Sequence, residues 1–205
     1  MADRVLTDVT GVGGRDLKGL VADVAELVEV ADRVRVTAPA DTFPSAWQVD
    51  PVHQWHWMRT TRAQRPATVE VVPVPDDDEV NHLIDAVAPA SHARPGTPGI
   101  EARLGVRDEG RLVAVGAALR QPDGTGHVRA VAVAPDHRGR GLGRELSRAL
   151  TRTAMADSGI CSLGVYVDNE PALRTYRSLG YEVVHTFTSG PVTASSSTIV
   201  SAPSR

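Results

Sequence analysis

Between Val131 and Leu150 an apolar run, "VAVAP", gives way to "DHRGRGLG", and that loop opens directly into Leu142, Leu146, Ala149, Leu150 and Thr153 at helical spacing. A strand feeding a helix through alternating arginine and glycine leaves few folds open. The first amides of a helix have no intrahelical acceptors and carry the positive end of its dipole, so such a junction attracts anions. Glycine at 139, 141 and 143 lets an anion approach the backbone, and Arg138, Arg140 and Arg144 add charge-assisted donors suited to a pyrophosphate. Spacing excludes two common phosphate loops. A dinucleotide fingerprint needs its third glycine where Arg144 stands, and a P-loop needs a Gly-Lys-Ser/Thr ending that is absent. "GVGG" at 11–14 misses the same fingerprint and reads as a turn ahead of a helix.

The flanking patterns place this junction in a mixed α/β fold. Leu17, Leu20, Val21, Val24, Leu27 and Val28 predict an amphipathic helix over 16–31, "RVRVT" a short strand, and "QWHWMRT" another with Trp55 and Trp57 on one face. "TVEVVPV" reads as a strand, and Asp76 with Glu79 as a capping box ahead of Val80, Leu83, Ile84 and Val87. Residues 101–135 read as three strands joined by turns at 108–110 and 122–126, an antiparallel meander. "CSLGVYV" is a strand, "NEPALRTYRSLG" a helix and "YEVVHTFT" a strand. The Ser/Thr-rich tail is expected to be loosely ordered apart from a short strand at "STIV". This order is not the regular alternation of a doubly wound nucleotide fold.

Composition narrows the function classes. With 205 residues, 41% hydrophobic and 23% charged, the chain is of globular type. A formal net charge of -3 speaks against a nucleic-acid partner. The single cysteine, Cys161, excludes an intrachain disulfide and a Cys-rich zinc site and fits a cytoplasmic location. No apolar run reaches the roughly 20 residues of a membrane span, and "MADRVLTDVT" lacks the order of a signal peptide, so no membrane partner is expected.

Two separated motifs carry a resemblance. "AVAVAPDHRGRGLG" and "YVDNEPALRTYRSLGYEVV" are similar to the coenzyme loop and the closing helix and strand of the GNAT family of N-acetyltransferases. Arg138, Gly141 and Gly143 stand at the Arg/Gln-x-x-Gly-x-Gly/Ala positions. Asn169, Ala172, Tyr176, Gly180 and Tyr181 stand at the Asn-x-x-Ala-x-x-x-Tyr-x-x-x-Gly-aromatic positions. The resemblance implies a GNAT-like α/β fold: a mostly antiparallel central sheet, splayed at the coenzyme site, flanked by helices and preceded by a helix/strand extension. It implies an extension over 1–66 packed on the core, an acetyl-coenzyme A binding domain over 67–188 and a tail over 189–205.

What the resemblance implies for mechanism is transfer of an acetyl group from acetyl-coenzyme A to a primary amine by direct attack on the thioester. Main-chain groups of Val131 and Val133 would hold the pantetheine arm. Amides over Arg138, Gly139, Arg140, Gly141, Leu142, Gly143 and Arg144 would take the pyrophosphate, and Asn169 would cap the later helix while touching the coenzyme. Tyr176 would return a proton to the departing thiolate, since a phenol is protonated at pH 7. An alkylammonium acceptor must first lose a proton. His127 is the candidate base, ahead of Asp123 and Glu101; a surface histidine is the competing reading. Cys161 has no assignable His or Asp partner for nucleophilic work, and His53 with His56 lacks a third ligand, so no metal is expected. The alternative class is a non-catalytic acyl-coenzyme A binding or sensing module. A small-molecule or protein amine is the expected partner, and a homodimer is the default for a soluble enzyme.

Overall fold

The structure, a computed structural model, describes residues 34–39, 47–49, 53–89, 91 and 94–194. The helix expected over 16–31, the turn at 11–14 and the strand expected at 197–200 lie outside the described residues. The element order is β1 (Val34–Pro39), β2 (Trp47–Val49), β3 (His53–Thr60), β4 (Val72–Pro73), α1 (Asp77–Val87), β5 (Ile100–Asp108), β6 (Arg111–Arg120), β7 (Gly126–Val133), α2 (Leu142–Ala154), β8 (Cys161–Tyr166), α3 (Glu170–Ser178) and β9 (Glu182–Ala194). The chain divides into two compact units, Trp57–Val184 and the combination of Met1–His56 with His185–Arg205. Among the described residues, no helix is long and apolar enough to cross a membrane.

In the smaller unit β1 pairs antiparallel with β9 from Val34 opposite Val192 to Pro39 opposite Phe187, and β2 sets Trp47 opposite Ala194. These partners explain a difference from expectation. The last strand does not end at Thr188 but continues to Ala194, because β1 and β2 satisfy its edge. Trp55 stacks on Phe187 with ring centroids 4.7 Å apart and donates its indole N–H to Ser189 Oγ at 2.9 Å. His56 Nδ1 lies 2.9 Å from Thr186 Oγ1.

In the larger unit the strand order is β3-β8-β7-β6-β5-β4, antiparallel from β4 to β7 and parallel between β7 and β8. Strand β6 is buried continuously from Leu112 to Leu119, so both its faces are covered, and both α1 and α2 pack against it. That is why "LVAVGAAL" reads as an unbroken small and apolar run and not as an alternation. Helix α1 contributes Val80, Leu83 and Ile84 to the core, and α2 contributes Leu146, Leu150 and Ala154. The capping box before α1 is half made. Asp76 Oδ1 accepts from the amides of Asp78 and Glu79, but Glu79 turns away to form a bidentate pair with Arg107, 2.6 Å at each oxygen.

The strand expected over "TVEVVPV" is reduced to Val72–Pro73, with one further ladder bond from Val74 N to Arg103 O at 3.0 Å. Pro73 and Pro75 have no N–H to extend the ladder, and the Thr68 amide donates instead to Glu145 Oε2 at 2.9 Å. Both meander turns stand where the sequence placed them. Glu109 (φ 50°) and Gly110 (φ 79°) form a tight two-residue turn between β5 and β6. Asp123 Oδ1 accepts from the amide and hydroxyl of Thr125 at 2.9 and 2.7 Å to fold the next turn.

Candidate active site

The site begins with a fault in the sheet. Val115 pairs with Ala132 and Ala117 with Arg129, so Gly116 faces two residues, Ala130 and Val131. Ala130 adopts φ 52°, the left-handed region that a β-bulge can require. Gly116 is opposite because a Cβ there would stand 2.6 Å from Leu150 Cδ1 and 3.2 Å from Val131 Cγ2. On the other edge of β7, pairing with β8 runs only from Gly126–Cys161 to Val128–Leu163. The two strands diverge beyond it. Ala134 N donates to Val113 O of β6 at 2.8 Å, so by alternation the polar groups of Val133 and Val131 point to the other side, toward the divergence.

Where β7 ends, Pro135–His137 form one 3-10 turn, and the loop enters α2 through Gly139 (φ 77°) and Gly141 (φ 80°). Gly141 is the N-cap and offers no side-chain acceptor. The Arg138 amide donates to Pro135 O and the Arg144 amide to Gly141 O, while the amides from Gly139 to Gly143 make no backbone bond of the turn and loop type. A cleft of about 630 Å³ lies over this segment, lined by Val133, by every residue from His137 to Arg144, and by Pro171 and Thr175 of α3. Amides at the positive end of a helix, facing an open cleft, have the chemistry to receive an anion.

The arginines of the loop are already engaged. Arg138 Nε donates to Val133 O at 3.2 Å, Arg140 Nη1 to Asp108 Oδ2 at 3.0 Å, and Arg144 Nε to Glu145 Oε1 at 3.3 Å. Asp108 also accepts from His137 Nε2 at 2.9 Å, and Arg140 first and His137 second hold its carboxyl below the usual range. Asp136 lies 2.8 Å from His137 Nδ1 and accepts from Arg111 at 2.6 Å; these contacts, His137 foremost, lower it to about 2. Glu145, in the first turn of α2, is buried. Burial raises its carboxyl, but the Thr68 amide and hydroxyl together with Arg148, whose Nε lies 3.3 Å away, outweigh that and leave it lowered.

Tyr176 follows Thr175 on α3, half-buried, with its ring edge-on to Tyr181 at 5.9 Å between centroids. Burial pushes its phenol up to about 12, with the Ser147 hydroxyl acting against the rise. Asn169 caps α3, its Oδ1 accepting from Ala172 N at 3.2 Å. Cys161 is fully buried 3.2 Å from the Tyr181 hydroxyl, and burial raises its thiol to about 11, which suits a core residue and not a nucleophile. His127 is also in the core. Its Nδ1 stands 2.9 Å from Ser162 Oγ, and the same hydroxyl lies 3.2 Å from Gly126 O. The ring stacks on Trp57 at 4.9 Å, and burial, with Arg129 adding to it, lowers its pKa to about 3.

Comparison with known proteins adds the decisive observation: residues 38–181 match the model of the acetyltransferase (GNAT) family. The chain belongs to the GNAT family. A GNAT-family chain of known structure from Novosphingobium aromaticivorans superimposes with a TM-score of 0.65 at 26% identity, covering 84% of this chain and 80% of that one. Mycothiol acetyltransferase of Corynebacterium jeikeium is 45% identical over 64 residues, which is 30% of this chain and 18% of that protein. N-alpha-acetyltransferase RimI of Mycobacterium tuberculosis is 37% identical over 84 residues, 40% of this chain and 52% of that protein. The matched stretches thus span about a fifth and a half of those relatives.

Within this GNAT chain, the structure brings together Val133, the loop from Arg138 to Arg144 and the start of α3, with Val131 two residues back on the same strand edge. His127, Asn169 and Tyr176 line no part of the cleft, although Tyr176 follows its lining residue Thr175 on α3. Sequence reasoning missed the bulge and the charged frame of Asp108, Arg111, Asp136 and His137. The glycine inside the apolar β6 run was a signal for the first, since an interior strand glycine marks a bulge or close approach. For the second there was none, because Asp108 and His137 are separated by 29 positions.

Proposed function

We propose that this GNAT chain transfers an acetyl group from acetyl-coenzyme A to a primary amine. The observation that carries the reading is the coincidence, at one end of β7, of a diverging strand edge and an amide-lined cleft at a helix N-terminus. The edge of Val131 and Val133 suits an extended amide-bearing arm, and the amides of Gly139 to Gly143 suit its pyrophosphate. In the transfer, the neutral amine nitrogen attacks the thioester carbonyl carbon, a C–N bond forms and the C–S bond breaks. The thiolate takes its proton from the Tyr176 phenol, the proton shed by the amine leaves to solvent, and the phenolate regains a proton from solvent, so that the phenol is restored. A histidine lowered to about 3, stacked and buried outside the cleft, is a poor acceptor for that proton, so His127 is assigned to the core.

The names of the relatives point to a small-molecule acceptor in one case and an N-alpha acceptor in the other. A panel of both kinds of amine, read by release of free coenzyme A, tests the reading. Transfer to at least one member is expected. Coenzyme binding without transfer across the panel would support a sensing module, and absence of binding would overturn the reading altogether.

A further inference from the structure

The β5–β6 turn and the coenzyme loop each supply one carboxylate and one guanidinium to a clasp closed around His137. Asp108 and Arg111 pair across the turn; Asp136 and Arg140 belong to the loop, with His137 between them. Asp108 Oδ2 takes His137 Nε2 at 2.9 Å and Arg140 Nη1 at 3.0 Å, while Asp136 takes Arg111 at 2.6 Å and faces His137 Nδ1 at 2.8 Å. Residue exposure of His137 is 8%, so its ring anchors the clasp in the protein body. The loop needs an anchor from outside. A Cβ at Gly139 or Gly141 would meet nothing within 4 Å, both residues adopt left-handed φ, and α2 starts without a side-chain cap. Neither packing nor capping fixes a backbone that glycine leaves permissive.

We propose that Asp108 is a positioning residue for coenzyme binding. Acting through the His137 ring and the Arg140 guanidinium, its carboxylate holds the Gly139–Gly143 backbone in the shape that receives the pyrophosphate. This rests on the coenzyme reading above. Charge alone predicts the opposite sign, because removing an acid beside a polyanion should tighten binding.

Calorimetry of the full chain with acetyl-coenzyme A separates the two. Asp108→Asn removes the charge and keeps the shape, and Glu109→Gln removes the same charge from a neighbour outside the clasp. The expected result is a Kd raised about tenfold in Asp108→Asn, at an unchanged melting temperature, against an equal or lower Kd in Glu109→Gln. The Asp108→Asn effect should shrink in an Arg140→Gln background, since coupled residues are not additive. If Asp108→Asn fails to fold, His137→Gln cuts the same link from the loop side and should also raise Kd. Wild-type binding with Asp108→Asn, or in its place His137→Gln, no weaker than wild type overturns the inference alone, as does an Asp108→Asn effect undiminished by Arg140→Gln. Failure of the wild type to bind overturns the coenzyme reading and the inference with it.

Discussion

Tyr176 and His127 are both titratable and both packed against aromatic rings, yet burial moves them in opposite directions, because it disfavours whichever form is charged. For Tyr176 the charged form is the phenolate, so the phenol stays protonated up to about 12 and its ionisation leaves no mark on activity between pH 7 and 10. Removing the hydroxyl is the informative change: Tyr176→Phe should lower kcat about 100-fold with Kd for acetyl-coenzyme A within twofold. Equal turnover in steady-state kinetics would take Tyr176 out of the acid role. For His127 the charged form is the imidazolium, which the folded chain refuses until about pH 3 while an unfolded chain accepts a proton near pH 6.5. The unfolded state therefore binds more protons between those values. Stability owed to His127 is constant above pH 6.5 and falls by up to about 1.4 kcal/mol per unit as pH drops through that window. Urea unfolding at pH 7.5 and 5 should show a smaller loss in His127→Gln than in the wild type; equal losses would exclude this linkage.

The elements differ in how legible they were. Helices α1, α2 and α3 announce themselves through apolar spacing within a dozen residues, and the two meander turns through local turn chemistry. The short β4, the long β9 and the bulge in β7 are relations between distant segments: prolines against a ladder, partners supplied by β1 and β2, and Ala130 against Gly116. Glycines expose the same division. A Cβ at Gly126 would lie 2.1 Å from the carbonyl oxygen of Ala154, a backbone atom at the end of α2 that no rotamer change moves aside. Gly126→Ala should lose about 3 kcal/mol or more in chemical unfolding. At Gly116 the nearest atom is the end of the Leu150 side chain, so Gly116→Ala should lose about 1 to 2 kcal/mol. A milder effect at Gly126 than at Gly116 would mean that the end of α2 yields more readily than the core beneath the bulge.

For the molecule as a whole, the loop was legible because its chemistry is written in consecutive residues, and its frame was not because Asp108 and Arg111 reach it from the distant β5–β6 turn. The consequence for the whole chain is thermodynamic. Every residue lining the cleft belongs to the unit Trp57–Val184, and the cleft touches β7, the loop, α2 and α3 at once. A ligand filling it ties four segments together and binds only when all are folded. Linkage then adds about 2.7 kcal/mol at a free ligand concentration of 100 Kd, which for a domain of this size raises Tm by roughly 5 to 10 °C. Acetyl-pantetheine, which has the arm and the thioester but no pyrophosphate, should produce a much smaller rise at the same concentration, because it leaves the amides of Gly139 to Gly143 unused. Thermal melts followed by circular dichroism with each ligand decide the matter. Equal shifts would place the binding energy on the Val131–Val133 edge and remove the loop from coenzyme recognition.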